Sequence, residues 1–430
     1  MEHKISTKKI NDLAQRLYPI CRSITGNGVR DTLKIINEHI DLKIHEVPSG
    51  TKVLDWEIPL EWNIRDAYIM DASGNRVVDF KKHNLHILNY SEPIHQKMNL
   101  ADLKENLHTL PDYPDLIPYK TSYYNRTWGF CLSENQFKGL QDGWYDVVID
   151  SDLSKGSLTY AEFFIPGKYN AEILFSTHIC HPSLANDNLS GIIVQTFLGQ
   201  LLNKQDSLNY SYRLLFIPGT IGAITWLAKN DSAINNIKHG LVISGVGDTG
   251  NFTYKKSRRE NTIIDKTVEY VLSSNYENFT IENFSPYGYD ERQYCSPGYN
   301  LPMGRLSRTP YGTYYQYHTS ADNLSFISSS SLQETINIIL EIVNILENNA
   351  CYLNENPKGE PQLGRRGIYG AMGGYGGRKE LEMAILWILN QSDGNHDLLS
   401  VAQKSNISFR VIMKATEILL KQGLIKLANK

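Results

Sequence analysis

Residues 172–191 read Glu172-Ile-Leu-Phe-Ser-Thr-His-Ile-Cys-His-Pro-Ser-Leu-Ala-Asn-Asp-Asn-Leu-Ser-Gly191. The stretch opens on a nearly continuous apolar run, as expected of a strand covered on both faces. From Ser190 to Leu202 the pattern becomes helical. His178, His181 and Asp187 therefore share one loop between a buried strand and a helix, at the sheet edge where open α/β folds bind ligands. Two imidazoles and a carboxylate form a metal-type donor set. The same residues alone are equally compatible with hydrogen-bonded loop histidines and an Asp187 that caps the helix.

Outward from this loop, Arg213–Ile217 and Leu241–Ile243 are further apolar runs. Helical stretches at Ser190–Leu202, Ala223–Asn230, Asp265–Ser273 and Leu332–Leu346 separate or follow them. Alternation of this kind predicts an α/β core with a mixed, largely parallel sheet between helices. Upstream, Ile10, Leu13 and Leu17 form one helical stripe and Val29, Leu33, Ile36 and Ile40 a second. From Lys43 to about Ile165 short β-like runs are broken by Gly, Asn, Pro and Asp. Downstream, Gln362–Gly377 holds seven glycines in sixteen residues, which predicts a hinge or arm. Beyond it, Arg378–Asn390, Asp397–Ser405, Ser408–Leu420 and the short run Leu424–Leu427 outline a winged helix-turn-helix. The predicted organisation is a discontinuous core over 1–45 and 167–355, an inserted β-rich lid domain over 46–166, a Gly-rich linker over 356–377 and a winged helix over 378–430.

The 430 residues carry 43 Lys and Arg against 46 Asp and Glu, a net charge of -3, so overall charge points to neither nucleic acid nor membrane as the main partner. No apolar run approaches the ~18 residues of a membrane span, and the first twenty residues lack a secretory h-region. Cys21, Cys131, Cys180, Cys295 and Cys351 are scattered without a CxxC pair, which predicts free thiols and a cytoplasmic location.

A second constellation lies far downstream, at Tyr289-Asp-Glu-Arg-Gln293 and Tyr317-His-Thr-Ser-Ala-Asp-Asn-Leu324. His318 is a candidate ligand there, or a satisfied histidine. Together the motifs resemble the zinc exopeptidases that include bacterial aminopeptidases and glutaminyl cyclases: a His at a strand end, Asp-Asn-x-Ser-Gly opening a helix, a later Tyr-Asp before Gly-Tyr-Asn-Leu-Pro, and a final Tyr-His-Thr-x-x-Asp. Arg22-Ser-Ile-Thr-Gly26 is similar to their Arg-x-x-Gly-Ser region. The long stretches HICHPSLANDNLSG, DERQYCSPGYNLP and YHTSADNL look more closely like aminopeptidase-like proteins associated with polysaccharide biosynthesis.

This resemblance implies that His178, Asp187 and His318 are metal ligands. Two departures qualify it. Where the two-zinc enzymes carry Glu-Glu after the second core strand, this chain reads Pro218-Gly-Thr-Ile-Gly222, and where they carry a ligand Asp it has Ser244, with Asp248 four residues later. The remaining donors suit one zinc ion better than two, with a position left for water. Glu291 is the candidate general base and Asp290 the second, beside Arg292. His181 and Asp248 are candidates for an additional ligand or for orienting one. Tyr314, Tyr315 and Tyr317 are candidates for lining the pocket.

The expected reaction is hydrolysis of a peptide or amide bond, most simply by an aminopeptidase on a peptide or aminoacyl-type substrate. A deacylase or amidase acting on amino-sugar or aminoacyl conjugates is the alternative, and a scaffold or regulator acting through the winged helix is an alternative of another class. That domain holds eight Lys or Arg against five Asp or Glu, a net of +3. Its candidate recognition helix offers Arg410 and Lys414 against Glu417, so protein interaction or oligomerisation is favoured over DNA. Deleting the inserted lid is expected to change substrate preference while zinc stays bound.

Overall fold

A computed structural model describes residues 5–368 and 377–428 and divides into two units. The first comprises residues 1–265 and 275–339, and the second 266–274 and 340–430. The centre of the predicted Gly-rich linker, 369–376, lies outside the described residues.

The first unit is built on an eight-stranded sheet with spatial order 43–48, 157–165, 211–217, 172–178, 237–243, 303–307, 253–255, 280–282. Strands 211–217, 172–178, 237–243 and 303–307 run parallel, and the strands that adjoin them on either side, 157–165 and 253–255, pair antiparallel. This is the mixed, largely parallel α/β sheet expected from the apolar runs. Every residue of Glu172–His178 is buried, because helices cover the sheet. Helix Ser190–Leu202 is itself buried on nearly all sides, which explains its lack of a polar face. Phe175, Phe197 and Phe216 are all fully buried, each contributing roughly 1.5–3 kcal/mol relative to an exposed ring. The N-terminal stripe also packs inward: helix Thr7–Leu17 buries Ile10, Leu13, Ala14 and Leu17, and Ser6 caps it by accepting from Lys9 N.

Strand 157–165, within the β-rich stretch, lies in the central sheet and pairs with 43–48. The residues between them form a separate antiparallel sheet of order 76–79, 61–70, 144–154, 94–99. Trp62, Ala67, Ile69, Val78, Val147 and Ile149 are buried along it, the inward positions of a period-two pattern. Strands 253–255, 280–282 and 303–307 escape the sequence reading because three to five residues carry too little periodicity.

In the second unit, helices Gly377–Gln391, Leu398–Ser405 and Phe409–Lys421 combine with a three-stranded sheet ordered 393–397, 351–354, 425–427. The central strand of this winged helix, Cys351–Asn354, precedes the Gly-rich stretch. All five cysteines are free. Among the described residues no helix is long and apolar enough to cross a membrane.

Candidate metal centre

The parallel strands end along one edge of the sheet, at His178, at Ile217 before Pro218-Gly219, and at Ile243 before Ser244. The loop after His178 returns to this edge through a lattice of buried hydrogen bonds. Asp322 receives the Asn186 N–H at 2.6 Å and the Asp187 N–H at 2.9 Å on its two carboxylate oxygens. Asn188 Nδ2 donates to Thr177 Oγ1 at 2.7 Å and to the His178 carbonyl at 3.1 Å. Ser190 Oγ donates to the Asn186 carbonyl at 2.6 Å and accepts from Val246 N at 3.1 Å. A Cβ at Gly191 would lie 2.5 Å from Thr177 Oγ1 and 2.6 Å from the Ile243 carbonyl, so the helix reaches the strands only with glycine there. The Asp-Asn-x-Ser-Gly pattern thus fixes a buried carboxylate, Asp187, in one orientation.

Asp187 is the hub. Its Oδ1 lies 2.9 Å from His178 Nε2 and its Oδ2 lies 3.0 Å from His318 Nε2. His181 completes the group, with its ring centroid 4.9 Å from that of His178 and 5.3 Å from that of His318. Donor atoms of His178, His181 and Asp187 all lie within 4.8 Å of one another. Burial by itself would raise the Asp187 carboxyl, but the electrostatic influence of the neighbouring His181 and the hydrogen bonds from His178 and His318 hold it well below the usual range. Burial pushes the half-buried His181 down to about 3. An ionised Asp187 carboxylate beside a neutral His181 is a protonation state suited to a metal, and this donor set fits zinc. Buried His178 Nδ1 has no hydrogen-bond partner.

Aromatic rings pack around the imidazoles. Tyr289 stacks on His178 at 5.0 Å, and Tyr317 stacks on His318 at 3.9 Å. Tyr314 stands edge-on to Tyr317, whereas Tyr315 is 53% exposed and stacks on Tyr113. Beneath the loop, the buried Arg22 guanidinium donates from Nε to the His181 carbonyl at 2.9 Å, and burial lowers it to about 10.

The two adjacent acids lie in different surroundings. Asp290 is buried, and its Oδ2 has no hydrogen-bond partner. A Cβ placed on Gly219 would lie 3.2 Å from His178 Cβ and 3.4 Å from Asp290 Oδ2. The Asp290 carboxylate therefore lies beside position 219, in the Pro218–Gly222 segment that follows strand 211–217. Burial, with the Glu291 charge, raises Asp290 to about 7 against the pull of His178 and Arg292. Glu291, also fully buried, is held by Lys255 Nζ at 3.0 Å, with Arg305 Nη1 at 4.0 Å. Asp248 is likewise engaged, accepting from Asn186 Nδ2 at 2.9 Å, Gly250 N at 2.7 Å and Thr309 Oγ1 at 2.6 Å. Ser244 is buried with its hydroxyl unpartnered.

Of the residues singled out in the sequence, the structure brings together His178, His181, Asp187, His318 and Asp290, and ties Glu291 and Asp248 to other partners. Asp322 and Tyr289 lie inside the quoted motifs, where spacing alone marks no role for them. Tyr119, which stands edge-on to His181 and His318, gave no sequence signal.

Comparison with known families agrees with this architecture: a family described as a domain of unknown function, DUF4910, matches residues 11–349. The chain belongs to the DUF4910 family. A winged helix-turn-helix family matches residues 350–427, so the strand at 351–354 falls within that match. A curated relative from Clostridium acetobutylicum, named for polysaccharide biosynthesis and an aminopeptidase-like domain, is 51% identical over 97% of this chain and 96% of its own length. A crystal structure from the same organism superposes with a TM-score of 0.93 at 49% identity, covering 98% of this chain and 96% of that one. A zinc aminopeptidase from Bacillus subtilis shares the fold, with a TM-score of 0.58 at 11% identity over 79% of this chain and 93% of that one. This DUF4910 protein thus has an aminopeptidase-like core and a C-terminal winged helix.

Proposed function

We propose that this DUF4910 protein is a zinc-dependent hydrolase of peptide or amide bonds, most simply an aminopeptidase. The observation that carries the reading is Asp187, which presents one oxygen to His178 and the other to His318 beside a buried, unpartnered Asp290 oxygen. His178, Asp187 and His318 would hold one ion, with His181 as a further donor close to the first two. When bound, zinc lowers the pKa of its water to about 7 and polarises a carbonyl.

In this reading Asp290 takes up the proton: burial raises its carboxyl to about 7, matched to neutral pH, and no cation among the described residues pairs with it, whereas Glu291, whose Oε2 is also unpartnered, is paired with Lys255. This reading moves the base from Glu291, the first candidate on sequence, to its neighbour. Glu291 is fixed by Lys255 and has a structural use. Tyr289 and Tyr317 stack on the two imidazoles and limit water around them.

Metal analysis of protein purified without chelator tests the centre. We expect about one zinc per chain, and most of it lost on His178→Ala or His318→Ala, because each removes one of the three ligands assigned to the ion and His181 would have to shift to replace it. A wild-type protein free of divalent metal would sink the hydrolase reading and leave the scaffold. The relative's name for polysaccharide biosynthesis favours a second reading, a deacylase or amidase acting on amino-sugar or aminoacyl conjugates. Chromogenic aminoacyl and N-acetyl substrates separate the two.

We assign the winged helix a protein partner and the chain a cytoplasmic location. On helix Phe409–Lys421 the exposed face presents Arg410, Lys414 and Lys421 with Glu417 among them, a weak footprint for phosphates. Random duplex DNA should show no gel shift at physiological salt, and a salt-sensitive shift there would assign the domain to DNA.

A further inference from the structure

Tyr119 lies on a loop of the inserted region, far in sequence from both histidine loops. Its ring centroid is 5.1 Å from that of His181 and 5.1 Å from that of His318, at interplanar angles of 62° and 89°. Its hydroxyl lies 3.1 Å from the Tyr123 hydroxyl. The side chain is buried.

The backbone around Tyr119 is paired with the His318 loop. Tyr119 N donates to the His318 carbonyl at 2.8 Å, Ser320 N donates to the Ile117 carbonyl at 2.9 Å, and Ile117 N donates to Ser320 Oγ at 3.0 Å. Pro118 and Thr319 form an antiparallel bridge between them. His318 has φ of 56°, a left-handed conformation that a non-glycine residue keeps only where its surroundings over-determine it. This ribbon is the part of the surroundings that grips its main chain.

The other flank is stitched to the His181 loop. Fully buried Asn89 donates its N–H to the Lys120 carbonyl at 2.9 Å and accepts from Ser122 N at 2.9 Å. Its Nδ2 donates to the Arg22 carbonyl at 3.2 Å, and Arg22 holds the His181 carbonyl at 2.9 Å. Segment 117–122 is therefore fastened to both histidine loops at once.

We propose that Tyr119 is a positioning residue of the metal centre and that the inserted region is built into that centre rather than laid over it. The proposal rests on the reading of the histidine cluster as a zinc site. A lid resting on a complete site can be deleted without loss of metal, whereas deletion of a region that holds His318 and His181 costs zinc. Groups that orient ligands typically contribute ~10–100-fold to metal affinity. Tyr119→Ala should weaken zinc binding by about that factor, whereas Tyr119→Phe, which keeps the ring, should bind close to wild type.

Zinc affinity of the full chain, read by competition with a chromophoric chelator, requires no turnover. Leu103→Ala removes a fully buried side chain from helix Leu100–Lys104 of the same region, and should lower the melting temperature while zinc affinity holds. Tyr119→Ala that binds zinc as tightly as wild type overturns the proposal. So does Leu103→Ala weakening zinc as much as Tyr119→Ala, because loss of stability would then account for both. Equal losses in Tyr119→Phe and Tyr119→Ala would move the effect from the ring to the hydroxyl and also overturn it. A wild-type chain without zinc removes the metal reading itself, and the positioning role with it.

Discussion

Asp290→Asn should leave zinc content near the wild-type level and cut turnover by the ~10²- to 10⁴-fold typical of a lost general base. Asparagine keeps the size of the side chain and one carbonyl acceptor but cannot take a proton. The fold should tolerate the change, because burial already opposes ionisation of this carboxyl and raises it to about 7, so a neutral replacement removes no favourable charge. Activity per bound zinc is the quantity to measure. Undiminished turnover would end the case for Asp290, and loss of zinc would make it a ligand that replaces the missing glutamate.

Glu291→Gln should do the reverse, lowering stability more than turnover. Glu291 and Lys255 are almost fully buried and 3.0 Å apart, and Arg305 approaches to 4.0 Å. Lys255 and Arg305 sit directly opposite each other on antiparallel strands, so the carboxylate also separates two like charges. Removing one partner of a buried pair costs about 3–5 kcal/mol, because the other charge is left uncompensated. A fall in melting temperature on the order of 10 °C follows for a unit of this size. Lys255→Met combined with Glu291→Gln should recover part of that loss, since the stranded ammonium is then gone. If Glu291→Gln melts like wild type but has lost its turnover, the two acids exchange roles.

Adjacent residues with such different expected phenotypes mark the boundary of what spacing can say. In the sequence Asp290 and Glu291 differ only by one methylene and one position, and either is a plausible base near Arg292. The structure separates them through partners more than thirty residues away: Lys255 from a three-residue strand meets Glu291, while the bare Gly219 backbone leaves Asp290 beside His178. Asp248 was open to a ligand role for a similar reason. Its contacts with Asn186 and Thr309 have no local signature.

The sequence by itself determined the α/β core, the buried strand that ends at His178, the loop that gathers His178, His181 and Asp187, and the winged-helix outline. All of these rest on local pattern: a doubly covered strand must be apolar along its length, and a donor-rich loop between strand and helix must emerge at the sheet edge. Only the tertiary structure decided that Asp187 faces His318 across 131 residues, that Glu291 and not Asp290 is paired with Lys255, and that Tyr119 of the inserted region closes on two imidazoles. Those contacts arise where separate chain segments pack. The packing of each is fixed by burial and hydrogen bonding over the whole unit, which no single stretch of sequence records.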